Sequence, residues 1–190
     1  SVTSTFSQNA YSLQVLAGFG GSASGEGNFS HGTLASISAF PDTGYSFNGW
    51  TGEGIDENSS VFTTVLIDQP KTVSATFSLN SYPLSLQAGV GGSTSGEGNF
   101  SYGSVAPISA QADPGYSFNE WTGEGIDNNS SASTSVVIDQ AKTVTAYFSI
   151  NSYSLSLLAG VGGGVALFTG VVDAEAAESG RYSVVHCDQH

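Results

Sequence analysis

Apolar and polar residues alternate along several short stretches of the chain, a pattern typical of half-buried β-strands. The first such stretch is 11–18 and the last of its group is 72–79, with further candidate strands at 33–41 and 61–68. The residues predicted to face inward from the first and last strands are Tyr11, Leu13, Val15, Val73, Ala75 and Phe77. No window shows a convincing 3.6-residue period over ten residues. The pattern therefore predicts a mainly β unit of about five short strands.

The segments between these strands are rich in turn-forming residues. Residues 19–32 predict a Gly/Ser-rich turn or ribbon. In 33–41 the apolar residues Leu34, Ile37 and Ala39 are imperfectly in phase, which predicts a strand with a bulge that ends at Pro41.

The stretch GYSFNGWTGEGIDENSS, residues 44–60, combines three aromatic residues with a polar loop. We expect a turn at Gly44, with Tyr45, Phe47 and Trp50 facing inward. Asn48-Gly49 has the composition of a two-residue hairpin turn. The same stretch returns further along the chain with Glu120 at the glycine position, so a type I turn or a bent connection fits both copies better. Residues 51–60 are expected to be loop, with room for one helical turn.

The whole pattern repeats after 71 residues. Tyr11, Tyr82 and Tyr153 keep this spacing, as do Trp50 and Trp121. Roughly two-thirds of positions are identical between the two copies. A period of this length favours small independent domains over a solenoid. The predicted divisions are a closing strand of a preceding repeat at 1–8, repeat 1 at 9–79, repeat 2 at 80–150, and the opening strand of a third, incomplete or diverged repeat with a C-terminal tail at 151–190.

The charge balance argues against two classes of binding partner. Sixteen acidic residues against three basic ones give a net charge of −13. This argues against nucleic acid, whose phosphates require Lys and Arg, and against anionic membrane surfaces. No apolar run approaches the ~18 residues of a membrane helix, so membrane insertion is not expected. A single cysteine, Cys187, excludes an internal disulfide framework, and the composition fits an extracellular or cell-surface bacterial protein.

The order of the motifs resembles the divergent internalin B-repeat family. The resemblance covers about 9–150 and consists of an opening Y-x-L strand, a GG turn, ISA, then G-Y-x-F-x-x-W-x-G and a final K-T-V-x-A-x-F. The residues that carry it in the first copy are Gly44, Tyr45, Phe47, Trp50, Gly52, Val73, Ala75 and Phe77, and the matching ones in the second copy run from Gly115 to Phe148. The resemblance implies compact β-rich, β-grasp-like modules in tandem, used in bacterial surface proteins as spacers, stalks or adhesive segments. It implies no catalysis.

The aromatic residues allow two interpretations. In a domain of about 70 residues the core is marginal, so large rings at fixed positions are most simply explained as core. The alternative is a sugar-stacking platform with Trp50 or Trp121 facing outward, which would make the chain a carbohydrate-binding module.

The carboxylates of 51–60 and its twin are candidates for a Ca²⁺ site because calcium prefers six to eight oxygen ligands. The candidates are Glu53, Asp56, Glu57, Glu124 and Asp127. The stretch matches neither an EF-hand nor an RTX repeat, so a solvated acidic loop with no bound cofactor is the simpler expectation. Lys71 and Lys142 are expected to be exposed turn lysines beside Asp68 and Asp139.

Catalysis is not expected. No Ser-His-acid set is visible, since His31 is replaced by Tyr102 in the second copy. The tail HCDQH, residues 186–190, offers two or three metal-ligating side chains, which is too few for a closed site. We therefore predict that the chain is not an enzyme.

The two ends of the sequence raise one further hypothesis. Residues 1–9 read like the closing strand of a repeat, and 153–163 like an opening strand. One explanation is that these are the limits of a fragment or of a diverged unit. The other is head-to-tail strand complementation into filaments, which would also cover sheet edges that almost no lysine protects. The residues that such assembly would use are Val2, Thr5, Phe6, Tyr153, Leu155 and Leu157.

The sequence thus predicts an extracellular tandem-repeat protein that acts as a spacer, adhesive stalk or filament subunit. The expected partners are neighbouring repeats or further copies of the chain, and glycans if the aromatic platform exists. The alternative is a carbohydrate-binding or Ca²⁺-assisted adhesion module.

Overall fold

A computed structural model describes residues 7–155 and 170–172. The chain divides into two compact units, Ser1–Ser81 and Tyr82–His190. The described part of each unit is built from strands and turns, with no helix. The prediction of a mainly β fold is therefore confirmed.

The first unit contains seven strands over its described residues, 7–81, rather than the five expected. They are β1 (Ala10–Ala17), β2 (Gly21–Ser24), β3 (Gly27–Ser30), β4 (Thr33–Pro41), β5 (Tyr45–Thr51), β6 (Phe62–Ile67) and β7 (Lys71–Leu79). The two additional strands, β2 and β3, lie within the segment predicted as a turn or ribbon. Their Gly, Ser and Asn residues carry little apolar signal, yet their backbones pair regularly with β4 and β1.

These strands form two sheets. A four-stranded mixed sheet has the order β3-β1-β7-β5, and a three-stranded antiparallel sheet has the order β2-β4-β6. At the centre of the mixed sheet, β1 and β7 run parallel, with Leu13 opposite Lys71 and Ala17 opposite Ala75. Since parallel strands need a long crossover, the rest of the unit, β2 to β6, forms the connection between them.

The second unit repeats this arrangement. Its strands are β8 (Ser81–Ala88), β9 (Gly92–Ser95), β10 (Gly98–Ser101), β11 (Val105–Ala112), β12 (Tyr116–Thr122), β13 (Ser133–Val137) and β14 (Lys142–Ile150). The sheet orders are β10-β8-β14-β12 and β13-β11-β9. A further antiparallel pair joins β15 (Tyr153–Leu155) to β16 (Gly170–Val172).

Each unit has one hydrophobic core, filled from both of its sheets. Leu13, Trp50, Val73 and Ala75 come from the mixed sheet of the first unit. Ala35, Ile37, Ala39, Val65 and Ile67 come from its three-stranded sheet. The predicted alternation in β1 and β7 is confirmed, because Leu13, Val73 and Ala75 are buried and Tyr11, Val15 and Phe77 pack against them.

The predicted phase of β4 was wrong. Leu34 faces solvent, whereas Ala35, Ile37 and Ala39 alternate inward without interruption. The pairing of β4 with β6 and β2 is regular, so the strand carries no bulge. The error arose because a large apolar residue was taken as core, although small alanines fill the inward positions beneath the opposite sheet.

The irregularity lies in β5 instead. Asn48 and Gly49 belong to one continuous strand whose register against β7 shifts between Phe47 and Gly49. The second copy has the same shift between Phe118 and Glu120. The predicted type I turn or bent connection was therefore wrong, and the hairpin turn is not present either. A β-bulge leaves one residue out of the ladder, so it accepts Gly or Glu at the following position.

In the GG turn, the absence of side chains on Gly20 and Gly21 lets two aromatic rings pack directly against the backbone. Gly20 has φ of 94°, and a Cβ built on it would overlap the ring of Tyr45. A Cβ on Gly21 would overlap the ring of Phe77 and approach the carbonyl oxygen of Phe40 to 2.7 Å. The glycine pair and the two aromatic motifs therefore form one packing unit, although they are separated along the chain.

Candidate functional site

The polar loop after β5 is attached to the core by the tryptophan. Trp50 is 3% exposed and Trp121 is 1% exposed. The indole N–H of Trp50 donates to the carbonyl oxygen of Ser60 at 3.0 Å, and that of Trp121 donates to Ser131 at 3.1 Å. The backbone N–H of Trp50 donates to the carbonyl oxygen of Asn58 at 2.8 Å. The ring thus fills the core, and the indole and backbone N–H groups of Trp50 hold Ser60 and Asn58 of the loop.

The same loop covers the free edge of β6. The backbone N–H of Leu66 donates to Gly54 at 2.9 Å, and that of Asp56 donates to Thr64 at 3.0 Å. Ile55 forms an isolated bridge with Val65. Together with the bond from Trp50, these contacts place residues 54–60 between an edge of each sheet. The loop supplies edge protection that the chain, having few lysines, does not obtain from charge.

Three of the proposed calcium ligands, Glu53, Glu57 and Glu124, accept hydrogen bonds from neighbouring residues. Glu53 accepts a hydrogen bond from the side-chain amide of Gln69 at 3.5 Å. Glu57 accepts from the backbone N–H of Ser59 at 3.1 Å and from its hydroxyl. The hydroxyl bond is the main cause that lowers the pKa of Glu57, and the backbone bond lowers it further.

The second copy shows what Glu57 does. Its counterpart Asn128 accepts the equivalent hydrogen bond from Ser130 at 3.0 Å. The role of the side chain is therefore to cap a local turn, which an amide oxygen performs as well as a carboxylate. Across residues 7–155, no group of three or more His, Cys, Asp or Glu side chains is arranged to hold a metal ion.

The lysines are buried, so the expectation of exposed turn lysines was wrong. The side chain of Lys71 is 6% exposed and that of Lys142 is 5% exposed. Their ammonium groups lie 2.9 Å and 2.8 Å from the carboxylates of Asp68 and Asp139. A Cβ on Gly54 would overlap the Lys71 ammonium, so the stem lies directly beneath the acidic loop. Long-range packing of the loop buries a residue that local sequence placed in a turn.

The ion pair changes the titration of its acid. The hydrogen bond from Lys71 is the largest cause that lowers the pKa of Asp68, and the one from Lys142 does the same for Asp139. Both carboxylates remain about half exposed, so water screens the pair. The arrangement is structural: it neutralises the ammonium at the base of a negatively charged loop.

Burial of the indoles overturns the sugar-stacking platform on Trp50 and Trp121. Phe47 packs at 5.7 Å from Trp50 and at 5.9 Å from Phe77, so the predicted plug of rings is present. Tyr45 lies further out, at 5.7 Å from the exposed ring of Phe19. Glycan binding elsewhere on the chain stays a prediction.

The outer face of the three-stranded sheet differs between the units. In the first unit it carries four exposed apolar residues, namely Leu34, Phe40, Phe62 and Leu66. The positions 71 residues later are Val105, Gln111, Ser133 and Val137. The two units thus have equivalent cores and different surface residues.

The predicted assembly residues lie mostly outside the described residues: this holds for Val2, Thr5, Phe6 and Leu157. Tyr153 and Leu155 belong to β15, whose antiparallel partner is β16. Strand complementation between copies therefore stays a prediction. The tail 186–190, with its candidate metal ligands, also lies outside the described part.

The fold and the loop together define a class: tandem all-β repeat modules, each closed by its own residues. A family model described as the divergent InlB B-repeat domain matches residues 11–81 and 82–152. The chain belongs to this family, as its sequence predicted. The family is associated with bacterial surface proteins and is typically structural or adhesive. No curated protein and no solved structure matched the chain. Among the described residues, no helix is long and apolar enough to cross a membrane.

Proposed function

We propose that the two units are spacer modules of a bacterial surface protein, which add length between the parts of that protein on either side of them. The observation that carries this proposal is the path of the chain through each unit. The chain enters at β1 and leaves at β7, and these strands lie side by side and run the same way. Entry and exit are therefore at opposite ends of the mixed sheet.

The distance that a unit spans follows from its register. Leu13 lies opposite Lys71, so Ala10 is three residues before this level and Leu79 is eight residues after it. At roughly 3.3 Å per residue, the entry and exit points are about 35 Å apart. The second unit has the same register, with Leu84 opposite Lys142. Each repeat thus carries the chain forward instead of returning it to its starting point.

Two further features support a spacer. Among the described residues, the acids other than Glu120 lie on loops, where their charge favours solubility and opposes collapse onto other acidic surfaces. The units also differ in surface residues such as Phe40 and Gln111 while keeping equivalent cores. A spacer depends on its interior and its length, so it tolerates such differences.

The test is to vary repeat number and repeat surface separately. Chains with two, four and six repeats are placed between a cell-wall anchor and a reporter domain whose ligand is held on a bead. We expect bead capture through a polymer brush to increase with repeat number. We expect it to be unchanged when Phe40 and Phe62 carry the second unit's residues, as F40Q and F62S.

The opposite result would identify a binding module. If bead capture falls in the F40Q/F62S variant and does not change with repeat number, the spacer is overturned. That result would favour adhesion through the surface of the first unit. Direct binding of the unfused chain to a glycan array would point the same way.

A further inference from the structure

The first and last strands of each unit are joined along five consecutive residue pairs. In the first unit these run from Leu13 opposite Lys71 to Ala17 opposite Ala75. In the second they run from Leu84 opposite Lys142 to Ala88 opposite Ala146. Beyond the last pair, the backbone N–H of Gly18 donates to Ala75 at 2.9 Å, which extends the ladder by one bond.

This arrangement determines how tension enters the unit. A pull on the two ends of the chain draws β1 toward its N-terminal end and β7 toward its C-terminal end. Because the strands are parallel neighbours, the two forces lie along the strands and oppose each other. The strands can separate only by sliding, which loads all the bonds of the ladder together. An antiparallel pair pulled from one end would instead open one bond at a time.

The ladder is protected from water on its inner face. Leu13 is 2% exposed, and Val73 and Ala75 are fully buried. On the outer face, the hydroxyl of Thr72 donates to the side-chain oxygen of Gln14 at 3.3 Å, directly across the pair. The second unit places the equivalent contact between Thr145 and Gln87, at 3.4 Å. The ladder is thus shielded from water on its inner face and carries a side-chain hydrogen bond across the strands on its exposed outer face.

We infer that each unit is a mechanical clamp, in which the parallel β1–β7 pair and its twin β8–β14 set the force at which the unit opens. The inference rests on the proposed function only in that a surface spacer carries tension. The rest of the core sets equilibrium stability, whereas the clamp sets resistance to pulling.

The experiment stretches the full chain between tags at its two ends in an optical trap. We expect two openings at high force, one for each unit. Each releases about 70 residues, which extend to roughly 250 Å at ~3.5 Å per residue, less the ~35 Å already spanned.

A second attachment changes the direction of load in one unit alone. With C187S as background, T43C provides a handle at an exposed position before β5, and the other handle stays at the C-terminal end. Tyr45 lies opposite Leu79 at that end of the sheet, so β5 and β7 are then peeled apart from one end. We expect the first unit to open at low force and the second, still pulled along its clamp, at the high force. Equal forces in the two geometries would overturn the clamp.

Matched valine variants separate the clamp from the core. V73A and V144A alter the clamp strands, and V65A and V136A alter β6 and β13; all four valines are fully buried. We expect both pairs to lower the urea midpoint, and the clamp pair alone to lose most of the opening force. Equal loss of force from both pairs would show that general stability sets the force. Opening of both units at low force, with unchanged length increments, would overturn the clamp but not the spacer. Specific binding of a ligand by the unstretched chain would overturn the spacer but not the clamp.

Discussion

Single residues explain why the repeat carries its fixed motifs. Gly20 and Gly21 accept the rings of Tyr45 and Phe77, and Trp50 holds the loop through its N–H. Lys71 lies beneath Gly54 and meets Asp68. Each motif residue therefore contacts another motif residue that is distant in sequence, which is why the spacing between them recurs.

The second glycine of the GG turn gives the first prediction. G21A and G92A, made together, place a methyl group into the rings of Phe77 and Phe148. We expect a loss of about 1–3 kcal/mol in each unit, the usual cost of overpacking. The measurement is urea unfolding followed by tryptophan fluorescence, since each unit has one buried indole.

The control for this prediction is G32A with G103A. These glycines have φ of 84° and 77° and nothing within 4 Å of an added Cβ. We expect only the strain of a left-handed alanine, about 1 kcal/mol per unit. A larger loss from the control pair than from G21A and G92A would show that the rings do not press on the turn.

The ion pair gives the second prediction, and its two partners are not equivalent. D68N and D139N leave a buried ammonium without its carboxylate. K71M and K142M remove the buried charge, keep the stem, and leave the acids half exposed to water. We expect the aspartate variants to lower the urea midpoint more than the lysine variants. Equal urea midpoints for the aspartate and lysine variants would indicate that the carboxylate stabilises the ammonium no more than water does.

At the scale of elements, the loop 54–60 is a structural part of the unit. It supplies hydrogen-bond partners to β6 and to Trp50 and so covers an edge of each sheet. The carboxylate of Glu57 in this loop and that of Glu53 just before it have separate partners, Ser59 and Gln69. Its order should therefore not depend on a cation.

The third prediction follows from these contacts. Removal of divalent cations with EDTA, or addition of millimolar Ca²⁺, is expected to leave Tm unchanged. E57N, which installs the residue of the second copy, should also unfold at the wild-type temperature because Asn128 makes the same turn contact. Calorimetry measures both. A rise in Tm with Ca²⁺ that E57N abolishes would establish a metal site at the loop.

The sequence predicted the elements whose alternation is local and missed those whose position depends on distant contacts. Residues 11–18 and 72–79 alternate clearly, and both strands lie where expected. The strands β2 and β3 each contain a single apolar residue, Ala23 and Phe29, so their pairing rather than an alternating pattern reveals them. Burial of Lys71 could not be predicted because it depends on where Gly54 is placed. Trp50 and Phe47 were correctly assigned to the core, since 71-residue units need large rings to fill one, whereas Tyr45 lies further out.

At the scale of the whole molecule, the charge of −13 shapes the response to pH. Hydrogen bonds lower the pKa values of Asp68, Asp139 and Glu57 in the folded state. Their contribution is fully present above the unfolded carboxyl pKa of about 4 and is lost as pH falls through the lower folded pKa values. The net charge of −13 also destabilises the compact protein through self-repulsion, and this repulsion weakens as pH falls toward the isoelectric point.

The fourth prediction combines these two effects. We expect the urea midpoint to be level or to rise slightly from pH 7 to about 5, and to fall below about 4. The variant D68N/D139N should lose less between pH 4 and 2 than the wild-type protein does. Parallel curves for the two proteins would show that the lysine-bound aspartates do not contribute to acid sensitivity.

The place of β7 beside β1 also has a consequence for biosynthesis. Their paired residues, such as Gln14 and Thr72, are 58 positions apart, and everything between them is made first. A nascent repeat therefore lacks the centre of its main sheet until its last ten residues have been synthesised, and contacts between such distant residues form slowly. The repeat therefore stays open throughout most of its synthesis, and its main sheet closes only when the final strand has been made.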